Sequence, residues 1–351
     1  MDHFYTAVET RENPEISGKS VIVGADPKGG SGRGVVSTSN YEARKKGVRS
    51  GMPISRAWKL CPEAVYLRPN FPLYIHVSKR IMNIARSYAD KYEQWGIDEI
   101  FLDVSSRVSD FWDAERHAKR LKEAIFEKEK LTCSVGIGPN KLIAKIASDF
   151  QKPDGLTVVL KDDAEKFLAP LPVRRLLWVG RKTEERLKEL NIRTIGDLAN
   201  FDPTVLTDVF GVMGSQLYLM AHGVDNSPVE ERTKIKSISH ETTFDEDTTD
   251  SQVIRNAVES LSEEVAKEAQ EQNLFFKTIT VKVRYDNFET HTSSRTLLYM
   301  TNRSQDLKKN AGQLIQRYIL TKRQIRLIGV RVSTFISGAR QQTLVKFQRA
   351  V

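Results

Sequence analysis

The stretch GIDEIFLDVS, Gly96 to Ser105, sets two acids, Asp98 and Glu99, against an apolar run that ends in a third, Asp103. Successive side chains of a strand point to opposite faces. Ile97, Glu99, Phe101 and Asp103 would therefore share one face, and Asp98, Ile100 and Leu102 the other. Neither face is cleanly apolar, so a strand running through the whole stretch would bury charge. Two readings remain. The acids sit on a solvated hairpin tip with strand from Ile100 onward, or they form a carboxylate cluster on that hairpin that holds a hard cation. Mg²⁺ takes carboxylate oxygens and leaves room for phosphates, so the second reading needs phosphate-binding groups elsewhere in the chain.

Three stretches offer such groups. In YEARKKG, Tyr41 and Arg44 lie three apart, on one side of a helical turn. A hydroxyl and a guanidinium so placed can grip a triphosphate, because the guanidinium fork matches phosphate oxygens; alone, the pair is more often a solvated face. In KPDG, residues 152–155, Lys152 follows a helical pattern and could equally complement the helix dipole. FGVMG, residues 210–214, upstream of LYLMAHGVDNSPV, has the glycine spacing of a helical hairpin that offers backbone N–H groups to nucleic-acid phosphate, or of a plain helical bundle.

Charge points the same way. The net charge is +9 over 351 residues, but Phe275 to Val351 holds fifteen Lys and Arg against three acids, so that segment carries +12 and the rest −3. A wholly basic region at one end fits a polyanionic partner. No run reaches the roughly 18 apolar residues of a membrane span, and no secretory segment opens the chain. Cys61 and Cys133 form neither a disulfide framework nor a metal-ligand spacing, which fits a reducing cytoplasm. There is no Walker loop and no GxGxxG.

Periodicity divides the chain. The first 160 residues read as mixed α/β: strands at 20–25 and 35–40 around the Gly-rich DPKGGSGRG, a helix from Tyr41 closed by Gly47, and a helix from Tyr74 to Tyr92. The acidic strand follows, then a helix over 113–129, a strand over 131–138, a helix over 140–150 and a strand at LTVVL. Residues 162–225 read as compact helices, and the polar stretch 230–250 as a linker. Beyond it come a helix (251–271), strands at 277–285 and near 290–297, a helix (304–320) and a strand at 326–335. In the strand 277–285, Thr278, Thr280, Lys282 and Arg284 share a face, as do Arg331 and Ser333 later on; hydroxyls and cations in this pattern contact phosphates without reading bases.

Taken together and in order, MDHFYTAVE, NYEARKKGVRSGMP, GIDEIFLDVS, SVGIGPNKLIAKIASDFQKPDG, AHGVDNSPV, SHETTFDEDT and IRLIGVRVS resemble the Y-family DNA polymerases of the DNA polymerase IV (DinB) type, from Met1 to about Phe335, and the C-terminal tail suggests an archaeal member. The resemblance implies an α+β multidomain fold, a right-hand polymerase. Residues 1–11 and 71–159 would be the palm, 12–70 small fingers, 160–226 a helical thumb with helix-hairpin-helix motifs, 227–238 a linker, 239–336 an α/β little finger and 337–351 a clamp-binding tail. It implies addition of dNTPs to a primer 3′-OH with two Mg²⁺ ions, low fidelity and translesion synthesis in DNA repair. Asp98 and Glu99 would be catalytic and metal-binding, with the Met1 carbonyl a backbone metal contact. Tyr5 would be the steric gate against a ribose 2′-OH, although a tyrosine in FYTAV is more commonly a core aromatic. Tyr41, Arg44 and Lys152 would clamp the triphosphate. In the tail, Gln341, Leu344 and Phe347 have the spacing QxxLxxF of a sliding-clamp peptide, with Gln348 where a second aromatic is usual. The expected partners are primer–template DNA, dNTPs and a sliding clamp, and the expected state is a cytoplasmic monomer.

Two departures stand against the pattern. The family's first catalytic aspartate would lie one position before Met1, and Asp2 matches a second acid there that is not the usual ligand. Either the chain begins upstream of Met1, which the intact remaining motifs favour, or it is a shortened polymerase, in the limit a non-catalytic DNA- and clamp-binding protein. In LLWVGRKT, residues 176–183, Trp178 stands where the first thumb hairpin usually has Gly.

Overall fold

The computed structural model describes residues 1–231 and 234–337, and the chain divides into two compact units, 1–232 and 233–351. In chain order the first unit contains α1 (Phe4–Glu12), β1 (Val21–Gly24), β2 (Val36–Ser39), α2 (Tyr41–Lys45), α3 (Ile54–Leu60), β3 (Val65–Leu67), α4 (Phe71–Arg86), β4 (Lys91–Gln94), β5 (Ile100–Asp103), α5 (Phe111–Glu129), β6 (Val135–Ile137), α6 (Lys141–Ser148), β7 (Leu156–Val158), α7 (Ala164–Leu168), α8 (Arg181–Glu189), α9 (Ile195–Ala199), α10 (Pro203–Phe210) and α11 (Val212–Ala221).

Three apolar clusters organise it. Ile22, Val36, Ala43 and Ile54 gather β1, β2, α2 and α3 into a small module, with β1 antiparallel to β2 and parallel to β3. Phe4, Val8, Tyr74, Ile81, Leu121 and Ile125 join α1, α4 and α5. At the end of α5, buried Glu129 is held by Arg11 (2.9 Å) and Arg80 (2.7 Å), so this ion triad fastens the same three helices. The third cluster runs from Leu142 and Ile143 of α6 through Leu168, Leu187 and Leu206 to Leu217, so α6 shares its core with the helices that follow. Between α10 and α11, Gly211 adopts φ +63°, and a Cβ on Gly214 would lie 2.0 Å from the Leu206 carbonyl oxygen; only glycine permits so close an approach.

The helix expected from Tyr74 to Tyr92 starts earlier and stops sooner. Asn70 caps α4 by accepting from the Leu73 amide, and the chain turns after Arg86 into β4. The strand expected over 131–138 is only β6; residues 131–134 precede it outside any described strand. The segment after α11 is strapped down: Asn140 Nδ2 donates to the Gly223 carbonyl (2.7 Å), the Leu142 amide to Asp225 (3.1 Å), and Lys141 Nζ to both Glu93 (2.7 Å) and the Pro228 carbonyl (2.8 Å). The Tyr92 hydroxyl donates to Glu231.

The second unit contains β8 (Ser237–Thr248), α12 (Ser251–Glu271), β9 (Leu274–Tyr285), β10 (Thr290–Thr301), α13 (Ser304–Ile319) and β11 (Ile325–Ser337). The sheet order is β10-β9-β11-β8 with every neighbour antiparallel, and α12 and α13 cover one face through Val258, Leu261, Leu307 and Ile315 packed on Phe276, Ile279, Val281 and Val330. The polar stretch read as a linker is therefore mostly β8. As an edge strand it needs little apolar surface, and Ile238 is its one fully buried side chain. No helix among the described residues is long and apolar enough to cross a membrane.

Candidate active site

β4 and β5 form a hairpin, with Gln94 opposite Ile100 and Lys91 opposite Asp103. Asp98 and Glu99 lie in its turn, closed by the Trp95 amide donating to the Glu99 carbonyl (3.0 Å), so strand begins at Ile100. The acids thus sit on a hairpin turn with strand from Ile100 onward, and the turn faces other charged groups. Met1, Asp98, Glu99, Ser134, Lys145 and Lys152 all border one cavity of about 460 Å³.

This cavity is lined by β5, which pairs with β4, and by β6, which pairs in parallel with β7. Met1 and Asp2 bridge them. The Met1 ammonium donates to the Asp98 carbonyl (2.8 Å) and lies 3.9 Å from its carboxylate. The Asp2 amide donates to the Thr132 carbonyl (3.3 Å), while its buried carboxylate accepts from Thr132 Oγ1 (2.9 Å), Ser134 Oγ (2.7 Å) and the Asp154 amide (2.9 Å). Asp2 is thus a structural anchor. Burial pushes its carboxyl up, but the Asp154 amide, both hydroxyls and the ammonium together bring it below the ordinary value.

Asp98 goes the other way. Burial raises its carboxyl, and the neighbouring Glu99 charge adds to this against the ammonium, Lys152 and Lys145. Two adjacent carboxylates whose charge is incompletely offset fit a divalent cation, which favours their ionised forms. Among the described residues no three His, Cys, Asp or Glu side chains converge as a metal cage. Mg²⁺ needs no such cage, because one or two carboxylates plus substrate phosphates suffice.

Of the expected phosphate-binding residues, Tyr41 and Arg44 lie on α2 and Lys152 follows α6, with Tyr41 in electrostatic reach of Asp149, the partner of Lys152. Tyr41 opens α2, and its hydroxyl is buried with no hydrogen-bond partner. The Arg44 guanidinium carbon sits 5.0 Å from the Tyr41 ring centroid, with Nε donating to the Ser39 carbonyl (2.9 Å). Lys152 pairs with Asp149 Oδ1 (2.7 Å). Tyr5 stacks on Tyr74 (4.4 Å, 12°) and meets Phe71 edge-on. Burial first and Asp98 second raise the pKa of the Tyr5 hydroxyl.

Sequence reasoning missed Lys145 and Asp149. Lys145 Nζ donates to Glu99 Oε1 (2.6 Å) and to Asp149 (3.2 Å), and so links the acidic turn to the cation pair at Lys152. The i, i+4 spacing of Lys145 and Asp149 was a signal, but nothing in it pointed at Glu99.

In the second unit, Thr278, Thr280, Lys282, Arg284, Arg331 and Ser333 lie on the sheet face opposite the helices, as their alternation predicted. That face is internally bonded. Thr278 contacts Thr296 (3.2 Å) and Thr334 (3.0 Å), Thr280 contacts Ser294 (2.8 Å), and Lys282 pairs with Glu241 of β8 (2.7 Å). Gln341, Leu344 and Phe347 lie outside the described residues.

Models of the impB/mucB/samB family match residues 1–149 and, as that family's C-terminal domain, 235–344; a model named for the thumb domain of DNA polymerase-iota matches 176–225. DNA polymerase IV 2 of Methanosarcina mazei is 46% identical over 98% of this chain and 93% of its own length. DNA polymerase IV of Methanoculleus marisnigri is 47% identical over 98% and 95%. Among solved structures, a Y-family DNA polymerase chimera of Dbh and Dpo4 superposes with a TM-score of 0.86 at 31% identity, covering 96% of this chain and 97% of its own. An insertion ternary complex of Dbh DNA polymerase gives a TM-score of 0.66 at the same identity and coverage. These likenesses span the chain and agree with the acidic hairpin and its ring of cations: the chain belongs to the Y family of DNA polymerases, of the DNA polymerase IV (DinB) type.

Proposed function

We propose that this protein extends a primer 3′-OH on a DNA template with dNTPs, releasing pyrophosphate. The observation that carries this reading is the gathering of Asp98 and Glu99 with Lys145 and Lys152 around one cavity. Asp98 and Glu99, with the Met1 carbonyl as a backbone donor, would hold two Mg²⁺ ions. When bound, Mg²⁺ neutralises charge on the phosphoryl oxygens and orients them for in-line displacement. Tyr41, Arg44 and Lys152 grip the triphosphate, the tyrosine by donating its orphaned hydroxyl. Lys152 and Lys145 are held by Asp149 and Glu99 until an anion competes for them. Tyr5, backed by Tyr74, blocks a ribose 2′-OH.

In this reading residues 1–11 and 71–159 serve as palm, 12–70 as fingers, 160–226 as thumb and 239–336 as little finger, whose open sheet face tracks DNA phosphates through Thr278, Thr280, Lys282, Arg284, Arg331 and Ser333. Residues 12–70 are short for fingers, so the nascent base pair would be loosely enclosed, and low fidelity and lesion bypass follow from the likeness to the family. The triplet Gln341, Leu344 and Phe347 suits a sliding-clamp pocket.

The test is extension of a labelled primer with Mg²⁺ and dNTPs. The parent chain should extend, and Asp98→Ala or Glu99→Ala should each lower the rate on the order of 10³-fold or more with DNA affinity nearly unchanged. A parent that binds primer–template without extending it would be a DNA-binding protein only.

A further inference from the structure

Trp178 holds a backbone conformation that its own side chain opposes. It sits just ahead of α8 with φ +70°, in the left-handed region where bulky residues are rare. Glycine would take that conformation without strain. A residue kept in such a state persists when its surroundings over-determine it, and such states gather at binding sites.

Its surroundings give the strain a purpose. The indole is 64% exposed, and its one described ring contact is with Trp95, centroid to centroid 6.1 Å at 61°. Trp95 packs in turn on Phe101 (5.2 Å) and closes the acidic turn through its amide. An aromatic file therefore runs from β5 through the base of the Asp98–Glu99 turn to Trp178. A contact made only to fasten two parts together would bury the second indole, and this one leaves most of it open. Arg174, Arg175, Arg181 and Lys182 flank it, all exposed, and no acid lies between residues 174 and 182. Arg174 and Arg181 reach Glu184 and Glu185 on α8 but keep their side chains 61% and 81% accessible. An open aromatic plane among cations is the pattern that takes a nucleic-acid strand, the cations meeting phosphates and the ring meeting sugar or base.

We propose that Trp178 is a primer-strand contact: the exposed indole packs against the sugar–phosphate chain of the primer just behind its 3′ end, with Trp95 as its backing. This rests on the polymerase reading, because the primer end must reach the Asp98–Glu99 turn and Trp178 is one ring away from that hairpin. The indole N–H adds a donor for a phosphate oxygen.

Three full-length variants test it at one fixed salt concentration, by fluorescence anisotropy with a primer–template duplex and with the single-stranded template alone. Trp178→Ala and Trp178→Gly should weaken duplex binding on the order of tenfold. Trp178→Phe should recover most of that loss, and in all three variants the loss on the single strand should be smaller than on the duplex, because the contact is to the backbone of the primer. Trp178→Gly should melt no lower than the parent, since glycine relieves the strained φ, so weakened binding in that variant cannot be ascribed to unfolding. Duplex affinity in Trp178→Ala equal to the parent's would overturn the proposal, as would equal losses on duplex and single strand. A parent that fails to extend primers strikes the polymerase reading instead, whatever the Trp178 variants do.

Discussion

Tyr5 and Phe4 are adjacent aromatics with different duties. Phe4 is 3% exposed in the core, whereas Tyr5 is half-buried at the rim, flat against Tyr74 and electrostatically within reach of Asp98. A plain core aromatic was the commoner expectation for the tyrosine in FYTAV, and Tyr5 does pack, partly buried, against the cluster that buries Phe4. Tyr5→Ala should raise the ratio of rNTP to dNTP kcat/KM by at least about tenfold, because a ring set against C2′ rejects the added hydroxyl by clash. Equal ratios in variant and parent would return Tyr5 to the core. The local placement of Tyr41 and Arg44 on one helical turn, and of Lys152 after a helix, could be read from the sequence because it depends on neighbours along the chain. Lys145 could not, because its partner Glu99 lies 46 residues away and only the folded chain brings them within 2.6 Å.

Elements show the same division between local and distant causes. The helices were legible wherever a cap and an apolar stripe coincide, as with Asp110 before α5 or Asn140 before α6. β4 was hidden inside a helical pattern because its buried member is a charged residue, Glu93, which Lys141 makes tolerable from another element. β8 was hidden because an edge strand has neighbours on one side and little need of apolar residues. Asp2 was underrated for a related reason: its partners Thr132, Ser134 and Asp154 are over a hundred residues distant, and through them it ties the start of the chain to the approach to β6 and to the turn before β7. Its lowered pKa carries a pH signature. A depressed carboxyl contributes stability above the ordinary value of 3.8 and loses it as pH falls through the lower folded value. Asp2→Asn should cost about 1–3 kcal/mol at neutral pH, since it removes a charged acceptor from three donors. In urea titrations across pH, the gap between parent and variant should narrow below pH 3.8. A gap constant with pH would mean that the charge on Asp2 does not matter.

At the scale of the molecule, the basic run from Phe275 onward is partly neutralised by the acids of its own unit, with Lys282 of the open face held by Glu241 of β8. Fewer phosphates should be neutralised than the +12 of that region implies. Log Kd for DNA should rise linearly with log salt at roughly 0.9 per phosphate contacted, independent of sequence. Arg331→Ala, at an exposed position of the open face, should lower that slope by about 1. An unchanged slope would remove Arg331 from the interface. The strap after α11 has a mechanical consequence. Tension arriving along the chain at Glu231 is borne first by Tyr92 and, through Pro228, by Lys141 and Glu93. Two of those four residues lie in β4, the strand that leads into the acidic turn, so a pull on Glu231 is delivered to the hairpin of the candidate site before it reaches the helices of α7 to α11.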